Sequence, residues 1–213
     1  MKKRLLSLLL VLLFMAGIPV QALAATHEVG DFAGLSHAFE TDTDAEVTVN
    51  LTADVDAGGN TLTAGSGQSY TIHGNNNTLS NVAITGPGEV TINADMSGTP
   101  GEDGFYAALT VTDGTVNLNG DVEGFLGIIA DHSTVVVDGT IDAEFSALQV
   151  KDSNVTLLQD IAGGVYALEA DNSTVKAEGQ VSGVLYGVEA TNGSRIQLQD
   201  NVTGGIEATD SEV

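Results

Sequence analysis

The stretch Val175-Lys-Ala-Glu-Gly-Gln-Val181-Ser-Gly-Val-Leu-Tyr-Gly-Val188-Glu-Ala-Thr-Asn-Gly-Ser194 contains the whole architectural rule of the chain. A β-branched residue opens five alternating positions, a polar turn follows, and Val181 stands six residues on. A small-residue corner, a second apolar pair and a turn rich in Asp, Asn, Ser and Gly complete the unit. Apolar alternation over runs this short reads as strands, and the Gly/Asp/Asn breaks read as turns. The same template recurs from Val49 through Tyr70, Val90, Val116, Val135, Val155, Val175 and Ile196 to Val213, at spacings of 21, 20, 26, 19, 20, 20, 21 and 17. The longest interval holds an insertion around Thr99-Pro100-Gly101-Glu102-Asp103-Gly104, expected as a loop projecting from one corner.

A unit of about three short strands cannot bury its own apolar face, whereas stacked units share one continuous core. The expectation is an all-β, right-handed parallel β-helix of about nine rungs of roughly 20 residues, on the order of 40 Å long at about 4.8 Å per rung. Leucine-rich repeats would show a fixed Leu/Asn spacing that is missing. Left-handed β-helices want strict hexapeptides, which the drift of spacing from 17 to 26 opposes. Asp31-Phe-Ala-Gly-Leu35-Ser-His-Ala-Phe39 carries apolar residues at helical spacing, with Asp31 placed as an N-cap, and is expected to form a short helix covering the first rung. The organisation expected is thus 1–24 signal peptide, 25–46 N-terminal cap and 47–213 repeats. Because Ile206–Val213 repeats the pattern of Leu168–Val175, the repeats are expected to continue past Val213 or to be completed by end-to-end self-association.

The leader is read from Lys2, Lys3 and Arg4, the apolar run Leu5–Ile18, Pro19 and the Ala22-Leu23-Ala24 site. These are the marks of a secretory signal peptide, and the run is shorter than the roughly 20 residues of a membrane span. Cleavage after Ala24 leaves 189 residues with three basic side chains (Lys151, Lys176, Arg195) against 29 acidic ones, a formal charge of −26. Such a chain repels nucleic acid and anionic membrane surfaces. It also repels anionic polysaccharides unless a divalent cation intervenes. With no cysteine, it must be held together by burial and backbone pairing.

The segments Val29-Gly-Asp-Phe-Ala-Gly-Leu-Ser-His-Ala-Phe39, Val47-Thr-Val-Asn-Leu-Thr-Ala-Asp-Val55 and Tyr70-Thr-Ile-His-Gly-Asn-Asn-Asn-Thr-Leu79 resemble the opening of pectin-lyase-like bacterial surface proteins. The resemblance runs over roughly residues 27 to 213. It implies the β-helix fold and leaves activity open, since that superfamily mixes lyases, hydrolases, adhesins and stalks.

Three surfaces are candidates. The first is a file of polar corner residues five positions after each anchor: Asp54, Asn75, Asp95, Asp121, Thr140, Asp160, Gln180 and Asn201. It reads either as turn chemistry or as a calcium file. Thr140 and Gln180 interrupt it, which gives the turn reading more weight. The second is an aromatic row, Tyr106, Phe125, Phe145, Tyr166 and Tyr186, recurring once per rung. It is either a sugar-stacking stripe or a buried corner stack, burial being favoured by the two Phe. Tyr166 and Tyr186 differ in parity from the others. The third is the Thr/Asn-rich strand face Asn50/Thr52, Thr71/His73, Thr91/Asn93 and Asn117/Asn119, read as a generic polar face.

Catalysis has little support in sequence. Arg195 has no identifiable acidic cluster beside it, Asp131, Asp138, Asp142 and Glu144 have ordinary turn residues as neighbours, and His27, His37, His73 and His132 lack metal spacing. The function expected is a non-catalytic, secreted or cell-surface stalk or adhesive domain for glycans or cell-wall partners. The alternative is a polysaccharide lyase or glycoside hydrolase whose catalytic rungs lie beyond Val213.

Overall fold

A computed structural model describes residues 24–101 and 104–213. Apart from Ala24, the expected signal peptide lies outside the described residues, among which no helix is long and apolar enough to cross a membrane. The chain winds into a parallel β-solenoid of about nine turns. A nine-stranded sheet stacks Ala25–Val29, Glu46–Leu51, Ser69–His73, Glu89–Asn93, Thr115–Leu118, Thr134–Val137, Asn154–Leu157, Thr174–Ala177 and Arg195–Leu198, every neighbour parallel. The remaining sides of each turn form a second, twelve-stranded sheet. Strands such as Thr134–Val137, Asn154–Leu157 and Thr174–Ala177 share one burial pattern because their β-branched and apolar residues alternate inward with period two.

Register fixes three inward files. Val47, Tyr70, Val90, Val116, Val135, Val155, Val175 and Ile196 form the first, all buried. Val55, Leu79, Met96, Val122, Ile141, Ile161 and Val181 form the second. Val82, Leu109, Ile128, Leu148, Leu168, Val188 and Ile206 form the third. The first turn is therefore anchored at Val47, not Val49, which pairs with Ile72. Both valines point inward, so an apolar alternation cannot tell registers two residues apart.

Helix α1 (Phe32–Thr41) lies over the first turns. Asp31 caps it, its Oδ1 accepting from the Gly34 amide at 2.8 Å. Its apolar stripe buries Leu35, Ala38 and Phe39, and the Phe39 ring stacks on Tyr70 with centroids 4.0 Å apart. Behind it, His27 Nε2 lies 2.9 Å from Asp42 Oδ2, and that hydrogen bond holds the Asp42 carboxyl below the usual carboxylate range. The insertion after Gly98 leaves the coil as a small antiparallel pairing of Pro100–Gly101 with Gly104–Phe105.

One corner carries a feature the sequence reading missed. Asp113, His132, Asp152, Asn172, Asn192 and Asp210 all have φ between 46° and 55°, a conformation that short polar side chains tolerate better than most. A buried serine file follows them. The Ser133 amide donates to Ser153 Oγ (2.8 Å), Ser153 to Ser173 (3.1 Å), and Ser173 to Ser194 (3.1 Å). Each hydroxyl returns its own proton to a carbonyl of its own turn, as Ser153 does to Lys151 O at 2.6 Å. Backbone groups stranded at a tight buried corner are thereby satisfied. The pairs His132-Ser133, Asp152-Ser153, Asn172-Ser173 and Asp210-Ser211 at the repeat spacing were the available signal.

Candidate binding face

The outer side of the twelve-stranded sheet gathers rings, carboxylates and an open groove. Phe125 and Phe145 stack with centroids 5.5 Å apart and planes 8° from parallel; Tyr166 and Tyr186 do the same at 5.5 Å and 6°. Phe145 meets Tyr166 edge-on at 5.8 Å and 64°. The break follows from register. Tyr166 pairs with Ser146, one position beyond Phe145, so the parity change rotates the next ring against the last. All four rings are partly buried and stand outside the core, as does Tyr106, which packs over the Gly59 backbone. The row is thus a partly buried stack on the outside of the core.

Three residues beyond Tyr166 and Tyr186 stand Glu169 and Glu189, in register with Gln149 on the turn before and Glu207 on the turn after. Two residues beyond, Asp131, Lys151, Asp171 and Thr191 form a parallel column. Between the columns lies an open groove of about 430 Å³ lined by Asp131, Gln149, Lys151, Glu169, Asp171 and Glu189. Glu169 reaches back one turn, its Oε2 accepting from Ser146 Oγ at 2.6 Å and Gln149 Nε2 at 2.9 Å, which ties the carboxylate column to the ring row. Burial, then the charges of Glu169 and Glu207, push the Glu189 carboxyl above its ordinary value.

A raised carboxyl has a definite sign. Glu189 binds its proton more tightly folded than unfolded, so its charge opposes folding above the elevated pKa and that penalty is relieved as pH falls through it. Thermal melts should accordingly show a gain in midpoint on mild acidification from neutrality that is smaller in Glu189→Gln. An equal gain in both proteins would mean that the column does not couple.

The polar corner file exists, with one substitution. Register places Asp54, Thr78, Asp95, Asp121, Thr140, Asp160, Gln180 and Asn201 immediately before the second inward file. Asn75 is not among them. It sits in a turn with φ 54°, because the corner after His73 is longer and Thr78 takes the place in the file. The carboxylates serve the backbone of the next turn: Asp54 Oδ1 accepts from the Thr78 amide (2.9 Å), Asp95 from Asp121 (3.1 Å), Asp121 from Thr140 (2.8 Å) and Asp160 from Gln180 (2.8 Å). Asp121 also accepts the Thr140 hydroxyl at 2.9 Å. With one oxygen of each engaged in this way, turn chemistry accounts for the file. Millimolar calcium should leave the thermal midpoint unmoved, whereas Asp121→Ala should lower stability by about 1 kcal/mol at this exposed corner. A calcium-dependent rise in midpoint would reverse the assignment.

The four histidines stay apart in space, and among the described residues His132 alone lies between two carboxylates. His132 Nδ1 lies 2.7 Å from Asp131 Oδ1, and Nε2 lies 3.6 Å from Asp152 Oδ2. This is the one group of three potential metal ligands among the described residues, and the repeat spacing brings positions 132 and 152 together. The Thr/Asn strand face is knit to itself, Asn119 Nδ2 donating to Asn93 Oδ1 and Asn117 Nδ2 to Glu89 Oε1, both at 2.8 Å. Arg195 pairs with Glu212 at 3.1 Å on the last turns, outside the groove lining. No protein-family model, curated protein or solved structure matches this chain.

Proposed function

We propose that the chain is an exported, non-catalytic β-solenoid of the pectin-lyase-like kind, acting as an adhesive or stalk module that binds polysaccharide along its ring-and-carboxylate face. The observation that carries the reading is a ring row standing outside the core beside an open groove, both continued from turn to turn. Rings that only filled the solenoid would lie inside it. The exposed part of each ring offers apolar surface to sugar C–H groups, while Gln149, Glu169 and Thr191 line the groove with hydrogen-bonding groups for hydroxyls. The signal-like leader and the resemblance of residues 27 to 213 support export and surface display.

Affinity electrophoresis of the exported chain through gels containing soluble polysaccharides tests this. A retarding polysaccharide is expected, and Tyr166→Ala or Phe145→Ala should weaken the retardation about tenfold, or about 1.4 kcal/mol. Retardation by no polysaccharide, or retardation indifferent to both rings, would sink the reading.

A second reading, polysaccharide cleavage, is favoured by Lys151 held in register between Asp131 and Asp171, beside Glu169 and the raised carboxyl of Glu189. New reducing ends or unsaturated products in such incubations, lost in Glu189→Gln, would establish it.

A further inference from the structure

We infer that the polymer taken by this face is a cationic one, a linear polysaccharide bearing free amines such as a deacetylated aminosugar chain. The inference rests on the polysaccharide-binding reading and adds the chemistry of the ligand. The groove presents Asp131, Glu169, Asp171 and Glu189 against a single cation, Lys151. Lys151 stands in register between Asp131 and Asp171, which leaves the glutamate column without a cation of its own. Glu189 has no hydrogen-bond donor among the described residues, and Glu207 continues its column onto the next turn.

Each alternative polymer meets a physical objection. An anionic polysaccharide is repelled by the column and by the −26 of the exported chain. A neutral one that covered the groove would strip water from carboxylates and return only hydroxyl hydrogen bonds. An ammonium group gives up to three charge-assisted hydrogen bonds and neutralises the column as it binds. The ring row runs alongside at one ring per turn and offers apolar surface to sugar C–H groups. Rings and carboxylates therefore repeat together along the rod axis, an arrangement that a linear polymer with an amine on each unit can follow.

Calorimetry on the full exported chain decides the matter, using a glucosamine hexasaccharide with protonated amines, its fully N-acetylated counterpart and hexalysine. The free-amine hexamer should bind at least about tenfold more tightly than the acetylated one. That preference should shrink as salt rises and vanish in Glu169→Gln/Glu189→Gln, two near-isosteric changes whose folding is checked by circular dichroism. Tyr166→Ala should weaken the free-amine hexamer and Tyr166→Phe should preserve it, which separates stacking from charge alone. Equal or tighter binding of the acetylated hexamer overturns the inference and leaves polysaccharide binding intact. Binding of hexalysine as tight as that of the hexamer, with Tyr166→Ala silent, overturns it in favour of non-specific charge. If another polysaccharide retards the protein and neither hexamer binds, the inference alone falls; if nothing binds, both readings fall together.

Discussion

Gly139→Val is expected to remove most of the stability of the solenoid. A Cβ at Gly139 would stand 2.0 Å from the carbonyl oxygen of Gly120, and one at Gly120 would stand 2.1 Å from that of Ala94. At Gly179 the nearest atom is the Gln159 carbonyl carbon, at 2.4 Å. What forbids a side chain at this corner is the backbone of the preceding turn, and backbone cannot rotate away as a side chain can. Turns would have to part, breaking the parallel pairing on both sides of the corner. A loss of more than about 4 kcal/mol is expected, a large share of the roughly 5–15 kcal/mol of a folded domain. Urea unfolding with the slope held constant would read it. Gly193 is the control, since a Cβ there meets nothing within 4 Å although φ is +83°. Gly193→Ala should cost only about 1–2 kcal/mol of backbone strain. A Gly139→Val midpoint as high as that of the Gly193 variant would refute close stacking at the corner.

Leu148→Ala is the second large effect. Leu148 is 0% exposed and sits between Ile128 and Leu168 in the third inward file. Truncation opens a cavity between turns that parallel pairing keeps from collapsing, and about 2–5 kcal/mol is expected. Ile206→Ala, in the same file but 54% exposed, should cost well under half as much. Equal losses at the two positions would show that the outer turn is covered in solution by something that shields Ile206.

How far the sequence carries depends on the kind of interaction. The repeat and its strands were legible because burial imposes period two on every turn, and Val116, Val135, Val155 and Val175 repeat without ambiguity. Asp31 and the Leu35/Ala38/Phe39 stripe announced the helix for the same reason. The first turn misled because Val47 and Val49 are equally apolar, and Asn75 was placed in the corner file by assuming a corner of constant length. The serine file was missed because each serine answers an amide some 20 residues away, a partner that local propensity does not reveal. The groove was hidden for a further reason. Its columns keep the 20-residue spacing of the repeat, but acidic residues are so frequent in this chain that spacing alone does not single these out.

The two hydrogen-bonded corners point opposite ways along the rod. At the carboxylate corner an amide donates to the turn before it, as Thr140 does to Asp121; at the serine corner an amide donates to the turn after it, as Ser153 does to Ser173. During synthesis from the N-terminus, each arriving turn therefore finds an acceptor already waiting at one corner and closes an open donor at the other. Growth in that direction leaves the serine-corner amide of the last turn, along with its strand edges, open for the next turn to close. Growth in the reverse direction would leave the amide of the carboxylate corner open instead, to be closed by the carboxylate of the turn before it. The corners thus give the coil a polarity: a turn added after it meets a waiting carboxylate and an open serine-corner amide, and a turn added before it meets a waiting serine hydroxyl and an open carboxylate-corner amide.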